Sequence, residues 1–199
     1  VLFHVGKETS YSEVTDLSSL KRISETTKNA IKYLWLNNNK INNLSGIEEF
    51  KNLYQIEVIN NPNLQNIHEI KELKEIKYFY AQYCDLENIE GLINSNIYFL
   101  SVFGNANLTS LNGLQASLNI NSIYANNCNL QDITAIQDKN SLEYLMLSNN
   151  LNLQSISSIK NDTAIRKLYL DNNNNMEISE VRQITNIIKN CTEINLPSK

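Results

Sequence analysis

The sequence has little of what catalytic and metal sites are built from. Among its 199 residues are two histidines, three cysteines and five glycines. His4 and His68 lie far apart, and neither has a cysteine, histidine or carboxylate at the spacing of a metal site. The glycines form no phosphate-binding loop, and no serine or cysteine lies in a nucleophile motif. We therefore expect no enzyme activity, no metal and no cofactor.

Clustered positive charge and long apolar runs are also missing. The formal net charge is −4, and nowhere do five like charges follow one another. Proteins that bind nucleic acid carry a clustered basic face, which this composition does not supply. No apolar run approaches the ~18 residues that a membrane-spanning helix needs. We expect neither a nucleic-acid partner nor a transmembrane segment.

The cysteines and the first residue are relevant to the cellular location of the protein. Cys84, Cys128 and Cys191 are too few and too scattered for a disulfide framework, so we expect them to be reduced. The chain starts at Val1 rather than at methionine, which predicts that it is a piece of a longer protein. A cytoplasmic location and a secreted or surface location both stay open, as does the oligomeric state.

What the chain has in quantity is one repeating pattern. Its first copy reads I-K-Y-L-W-L-N-N-N-K-I-N-N-L over residues 31–44. Copies start about 22 residues apart, at Ile31, Leu53, Ile76, Ile97, Ile120, Leu142 and Ile165. Each start leads into a short run of alternating residues, which predicts a strand. Each strand leads to a turn position, occupied by Asn39, Asn61, Cys84, Asn105, Cys128, Asn150 and Asn173.

The rest of each copy predicts the convex side of the fold. After the turn position the apolar residues lie three apart, which favours 3-10 turns over an α-helix of 3.6 residues per turn. A buried asparagine at the turn can donate and accept hydrogen bonds, so stacked copies should form a ladder. Gly46, Gly91, Gly113, Ala135 and Ser158 share one slot, where a small side chain lets neighbouring backbones approach.

This pattern resembles the short-repeat subclass of the leucine-rich repeat family, as found in the phosphatase-1 regulatory subunit and in bacterial internalins. The resemblance covers residues 31–170. It implies an α/β solenoid, a right-handed superhelix with a concave parallel β-sheet, convex 3-10 and loop segments, and helical caps. We expect one continuous domain, with an N-terminal cap over 1–30, seven repeats over 31–175 and a C-terminal helical repeat or cap over 176–199.

The two ends depart from the repeat and are predicted separately. In the N-terminal cap we expect a short strand, a helix over about 12–23 with Val14, Leu17 and Leu20 on one face, and then a polar loop. Near the C-terminus we expect a helix over about 179–190 that begins at Ser179, followed by a final strand.

The strand positions that the pattern leaves free are rich in aromatic residues. They hold more than half of the aromatic residues of the chain, although packing of the core does not require rings there. Two explanations stay open: stacking between strands that stabilises the sheet, or a binding surface. The candidate binding residues are Tyr33, Trp35, Glu57, Tyr78, Tyr80, Phe99, Phe103, Tyr124, Tyr144, Met146, Tyr169 and Asp171.

These positions make a protein-interaction module the first functional hypothesis, with a protein or peptide bound on the concave aromatic face. Three alternatives stay open. The resemblance implies either a regulatory binder of a Ser/Thr phosphatase or, as in internalins, a surface or secreted adhesin or receptor ectodomain. The repeats could also serve only to present another domain. The pattern does not name the partner, because many unrelated partners bind to this fold.

Overall fold

A single parallel sheet runs the length of the computed structural model, which describes residues 2–4 and 14–197. Each strand pairs with the next one along the chain, so the backbone makes one turn of a solenoid per strand. Within the described residues there are nine strands: β1 (Leu2–His4), β2 (Tyr33–Trp35), β3 (Gln55–Glu57), β4 (Tyr78–Tyr80), β5 (Phe99–Ser101), β6 (Ser122–Tyr124), β7 (Tyr144–Met146), β8 (Lys167–Tyr169) and β9 (Glu193–Asn195).

The alternation of each strand separates the core from the opposite face. In β2, Leu34 is fully buried and so is Leu36, directly after the strand, whereas Tyr33 and Trp35 point the other way. The same order recurs up to β8, where Leu168 and Leu170 are buried. The strands predicted in the seven repeats are confirmed; the pattern predicts the first over 34–36, and each observed strand begins one residue before its predicted start. We call the sheet surface opposite the core the open face.

Asparagines at the turn position form the expected ladder between repeats. Asn61 is fully buried, and its Nδ2 donates to the carbonyls of Leu36 at 2.9 Å and Val58 at 2.8 Å. Its Oδ1 accepts from the backbone N–H of Ile41 at 3.2 Å. One side chain therefore satisfies backbone groups of two successive repeats, which have no access to water.

Two cysteines occupy the same slot with weaker bonds. The Sγ of Cys84 lies 3.1 Å from the carbonyl oxygen of Val58, and that of Cys128 lies 3.3 Å from the carbonyl oxygen of Val102. Burial disfavours the thiolate and raises the pKa of both thiols to about 11. Both are therefore protonated and unreactive near neutral pH.

The convex side is built from short 3-10 helices, as the spacing of three predicted. They span Ile47–Glu49, His68–Ile70, Glu90–Leu92, Thr134–Ile136 and Ser157–Ile159. The slot for small residues lies where these segments stack. A Cβ added at Gly91 would lie 1.9 Å from the carbonyl oxygen of Ile67 in the preceding repeat, and one at Gly113 would lie 2.2 Å from that of Ile89.

Replacing Gly91 with alanine should lower the free energy of unfolding by about 2 kcal/mol, since two backbones must separate to admit the methyl group. Urea unfolding measures the change. Ala135 occupies the same slot in another repeat and is already accommodated there, so Ala135→Gly is the matched control. We expect that control to change the unfolding free energy by about 1 kcal/mol or less. Equal losses in both variants would contradict the steric explanation.

At the N-terminal end the predicted helix over 12–23 is wrong within the described residues. Residues 14–17 are not helical, Ser18–Arg22 is a 3-10 helix, and the α-helix α1 is Glu25–Ala30, in the stretch predicted as a polar loop. Ser24 caps α1 by accepting from the backbone N–H of Thr27. Leu17 and Leu20 are buried as expected, whereas the beginning of the predicted helix, 12–13, lies outside the described residues.

Lys28 explains why α1 forms where a polar loop was expected. It is almost fully buried, and its Nζ bonds to the carboxylates of Glu25 and Glu49. These carboxylates raise the pKa of Lys28, with Glu49 contributing most. Since Glu49 belongs to the first repeat, the ion pair attaches α1 to the solenoid.

At the C-terminal end two short helices replace the single helix predicted over 179–190. They are α2 (Ile178–Gln183) and α3 (Thr185–Ile188), and the chain breaks its helical geometry at Ile184. Glu177 rather than Ser179 occupies the N-cap position. Ile184 and Ile187 lie three residues apart and both reach the core. In the described part of the chain, no helix has the length and apolar character needed to cross a membrane.

Candidate partner-binding face

The register of the sheet aligns most of the predicted binding residues in two columns on the open face. One column runs through Tyr33, Gln55, Tyr78, Phe99, Ser122, Tyr144 and Lys167. The other runs through Trp35, Glu57, Tyr80, Ser101, Tyr124, Met146 and Tyr169. Phe103 and Asp171 follow strands β5 and β8 and lie in a third row at the end of the sheet.

Seven rings on and beside this face form one connected group. Tyr80 and Phe99 have centroids 5.0 Å apart, and Phe99 and Tyr124 lie 5.3 Å apart. Further contacts of 5.4 to 6.4 Å join the remaining rings. We call this group the aromatic cluster; its members are Tyr33, Tyr54, Tyr78, Tyr80, Tyr98, Phe99 and Tyr124.

Sequence reasoning missed two members of the aromatic cluster. Tyr54 and Tyr98 directly precede β3 and β5 and are 37% and 42% exposed. Together with Tyr78 they surround a shallow hollow of about 330 Å³ that Lys77 and Asn96 also line. The available signal was their position: each directly follows the first apolar residue of a repeat, in alternate copies. Both precede their strands at the parity that strand alternation assigns to the core side, so the alternation did not mark them as outward-facing.

Other predicted residues do not join the aromatic cluster. Phe103 packs edge-on against Tyr83 at 4.9 Å, and Tyr83 is 57% exposed. Met146 is only 5% exposed, so it offers a partner little surface. Asp171 accepts a hydrogen bond from the hydroxyl of Ser148 at 2.6 Å. The face therefore divides into an aromatic part around β2–β6 and a more polar part around β7–β9.

The polar part contains an ion pair. Lys167 forms an ion pair with Glu193 at 2.7 Å, and the hydroxyl of Tyr169 also donates to Glu193. The carboxylate raises the pKa of Lys167, which keeps its ammonium group charged. Within the described residues, no group of three histidine, cysteine or carboxylate side chains comes close enough to hold a metal ion.

Tyr78 and Tyr80 of the aromatic cluster remain protonated. Burial raises the pKa of Tyr78, and nearby Tyr54 raises it further. Burial also raises the pKa of Tyr80, with the negative charge of Glu57 as the next cause. Both hydroxyl groups are therefore neutral near pH 7, so each can donate and accept hydrogen bonds at the edge of an apolar surface.

Comparison with known proteins identifies the architecture. No family model and no curated protein sequence matches the chain. An internalin (inlF) from Listeria monocytogenes superposes with a TM-score of 0.58 at 16% identity, covering 92% of this chain and 68% of that one. Internalin C2 (inlC2) from the same species gives 0.60 at 16% identity, covering 87% and 84%. With one parallel strand and one asparagine-type turn per repeat, the fold of this chain is the leucine-rich-repeat solenoid.

Proposed function

We propose that the chain is a protein-interaction module that binds a protein or peptide on its concave aromatic face, the open face described above. The observation that carries the proposal is the aromatic cluster. Its rings lie on the side of the sheet that the core does not use, and Tyr33, Tyr54 and Tyr98 remain more than one third exposed. Apolar patches of this kind mark interaction sites in monomeric proteins.

Ring-to-ring contact favours binding as well as stability. Rings held by neighbouring rings lose little side-chain freedom when a partner arrives, so the entropic cost of association is lower. Tyrosine also combines a large apolar surface with a hydroxyl group that can bond at the interface. The two explanations left open by the sequence are therefore compatible, since stacking prepares the surface that a partner would contact.

The hollow beside the aromatic cluster supplies the polar part of recognition. Lys77 bonds to the carbonyl of Asn96 at 3.0 Å, which holds its ammonium group beside the rings of Tyr54 and Tyr98. A peptide lying across the strands would meet rings and hydrogen-bonding groups in alternation. Trp35, Tyr144 and Tyr169 extend the same face on either side of the cluster.

A selection from a random displayed-peptide library tests this proposal. Peptides selected on the wild type should bind the double variant Tyr54→Ala/Tyr98→Ala about 30-fold or more weakly, because exposed tyrosines at an interface contribute strongly to affinity. Titration calorimetry with the selected peptides measures the loss. Both rings lie outside the buried core, so the double variant should fold normally, which thermal unfolding checks.

Leu151→Ala is the matched control, because Leu151 is 58% exposed and lies outside the aromatic cluster. We expect the control to bind the selected peptides as the wild type does. Peptides that bind the double variant and the wild type equally would contradict a site on the aromatic cluster. A library that gives no peptide specific for the folded chain would contradict the proposal as a whole.

A further inference from the structure

Glu57 carries a negative charge that no cation among the described residues neutralises. Its Oε2 accepts from the Nδ2 of Asn37 at 2.9 Å, and its Oε1 accepts from the Nε2 of Gln55 at 2.7 Å. Both donors are neutral amides, and none of the ion pairs in the described part of the chain includes Glu57. The amides therefore fix the orientation of the carboxylate and leave its charge in place.

Aromatic residues lie on both sides of this carboxylate. In the register of the sheet Glu57 pairs with Trp35 of β2 and with Tyr80 of β4. Neighbouring strands are ~4.8 Å apart, so the three side chains project from adjacent positions on the open face. All three are partly exposed rather than buried. A fixed carboxylate flanked by an indole and a phenol attracts cations through charge and through the faces of the rings.

Among the described residues, the other carboxylates of the open face lack this combination. Glu193 is paired with Lys167 at 2.7 Å and also accepts from Tyr169. Asp171 accepts from the hydroxyl of Ser148, and aromatic residues do not flank it on both sides as they flank Glu57. Glu193 thus carries a charge on the same face without an aromatic residue on both sides, which makes it the control for Glu57.

We propose that Trp35, Glu57 and Tyr80 form a seat for an arginine side chain of the bound partner. This inference rests on the proposed function and specifies the partner's chemistry at one point of the interface. A guanidinium group suits the seat because it is planar, stacks on aromatic faces and donates to a carboxylate in a fixed direction. It also supplies the positive charge that complements Glu57.

Fluorescence titration tests the seat directly, because Trp35 is the single tryptophan of the chain. The probe is N-acetyl-arginine amide, and the neutral comparison is N-acetyl-citrulline amide, both added at constant ionic strength. The arginine probe should give a saturable change in Trp35 emission, and the citrulline probe should bind at least about 10-fold more weakly. Equal binding of the two probes would overturn the proposal, as would equally tight binding of N-acetyl-lysine amide.

Two variants test whether the charge of Glu57 is responsible for binding of the arginine probe. Glu57→Gln keeps the shape of the side chain and removes its charge, so it should weaken the arginine probe by about 10-fold or more. Glu193→Gln removes one charge from the same face and should change binding by less than about 2-fold. Unchanged binding in Glu57→Gln would overturn the seat. An equal loss in Glu193→Gln would show general attraction to the face and would also overturn the seat.

The two proposals can fail separately. The seat is tested with small probes, whereas the interaction module is tested with selected peptides and the Tyr54→Ala/Tyr98→Ala variant. Peptides that need the aromatic cluster but contain no arginine, and that bind Glu57→Gln normally, would overturn the seat and leave the interaction module standing. Saturable arginine binding without any cluster-dependent peptide would leave the seat standing and contradict the module.

Discussion

Replacing Asn105 with alanine should lower the free energy of unfolding by about 4 kcal/mol, the largest effect we expect from a single substitution in this chain. Asn105 is fully buried. Its Nδ2 donates to the carbonyls of Ala81 at 2.8 Å and Val102 at 2.6 Å, and its Oδ1 accepts from the N–H of Leu86 at 3.0 Å. Alanine would leave these backbone groups without that partner in a place that water does not reach.

Cys128 provides the control because it occupies the equivalent slot in the next repeat. Its thiol is a weak donor, 3.3 Å from the carbonyl oxygen of Val102 and 3.6 Å from that of Asn126. Cys128→Ala should therefore cost only about 1 kcal/mol. Urea unfolding followed by circular dichroism gives both values. Similar losses in the two variants would show that filling the slot matters more than its hydrogen bonds.

The second large effect concerns Asp162 and depends on pH. Asp162 is fully buried, and neither of its carboxylate oxygens has a hydrogen-bond partner. Its pKa is raised to about 6, mainly by burial and also by the negative charge of nearby Asp138, while Lys139 opposes the increase. In the unfolded chain the pKa returns to its ordinary value of 3.8. The carboxyl is therefore more easily ionised in the unfolded state than in the folded state.

The direction of the pH dependence follows from that difference. Below about pH 4 the carboxyl group is protonated in both states, so its ionisation does not change the free energy of unfolding. As the pH rises from about 4 to 6 only the unfolded state loses the proton, and the free energy of unfolding falls. Above about pH 6 the free energy of unfolding stops falling, and the total decrease is about 3 kcal/mol for a pKa difference of about two units.

Asp162→Ser should remove this loss. Ser95 and Ser117 occupy the same turn position in earlier repeats, where Ser117 Oγ donates to the carbonyl of Ser95 at 3.1 Å. A serine at position 162 could donate to the preceding repeat in the same way. The variant should be more stable than the wild type at pH 7, and the difference should shrink towards pH 4. A difference that does not change with pH would contradict the assignment to Asp162.

The repeats could be predicted from the sequence because the same physical requirement returns in every copy. Leu34 and Leu168 stand at equivalent places, and each must be apolar because each fills the same slot of a continuous core. Seven phased copies leave one consistent assignment of strand, turn and convex segment. The ends occur once, so no repetition supports an assignment there. Their helices depend on distant contacts, such as Lys28 with Glu49 and Glu180 with Ser155.

Asparagine has a second structural role, besides the ladder, that the repeat pattern did not show. One turn position adopts a positive φ in successive repeats, a conformation that asparagine and glycine tolerate better than other residues. Its occupants are Asn38, Asn60, Tyr83, Gly104, Asn127, Asn149 and Asn172. Tyr83 is the exception, and its exposed ring lies against Phe103 and Gly104. Packing between neighbouring loops thus offsets an unfavourable backbone conformation.

The sequence by itself determined the solenoid and the direction of each strand side chain, because a period of two within strands and about 22 between them leaves little choice. It therefore placed the candidate residues on the open face. Only the tertiary structure decided which of them meet. It joined Tyr54 and Tyr98 to the aromatic cluster, buried Met146 and held Glu57 between two amides. Such contacts depend on rotamers and on neighbours across the sheet, which a repeat pattern does not specify.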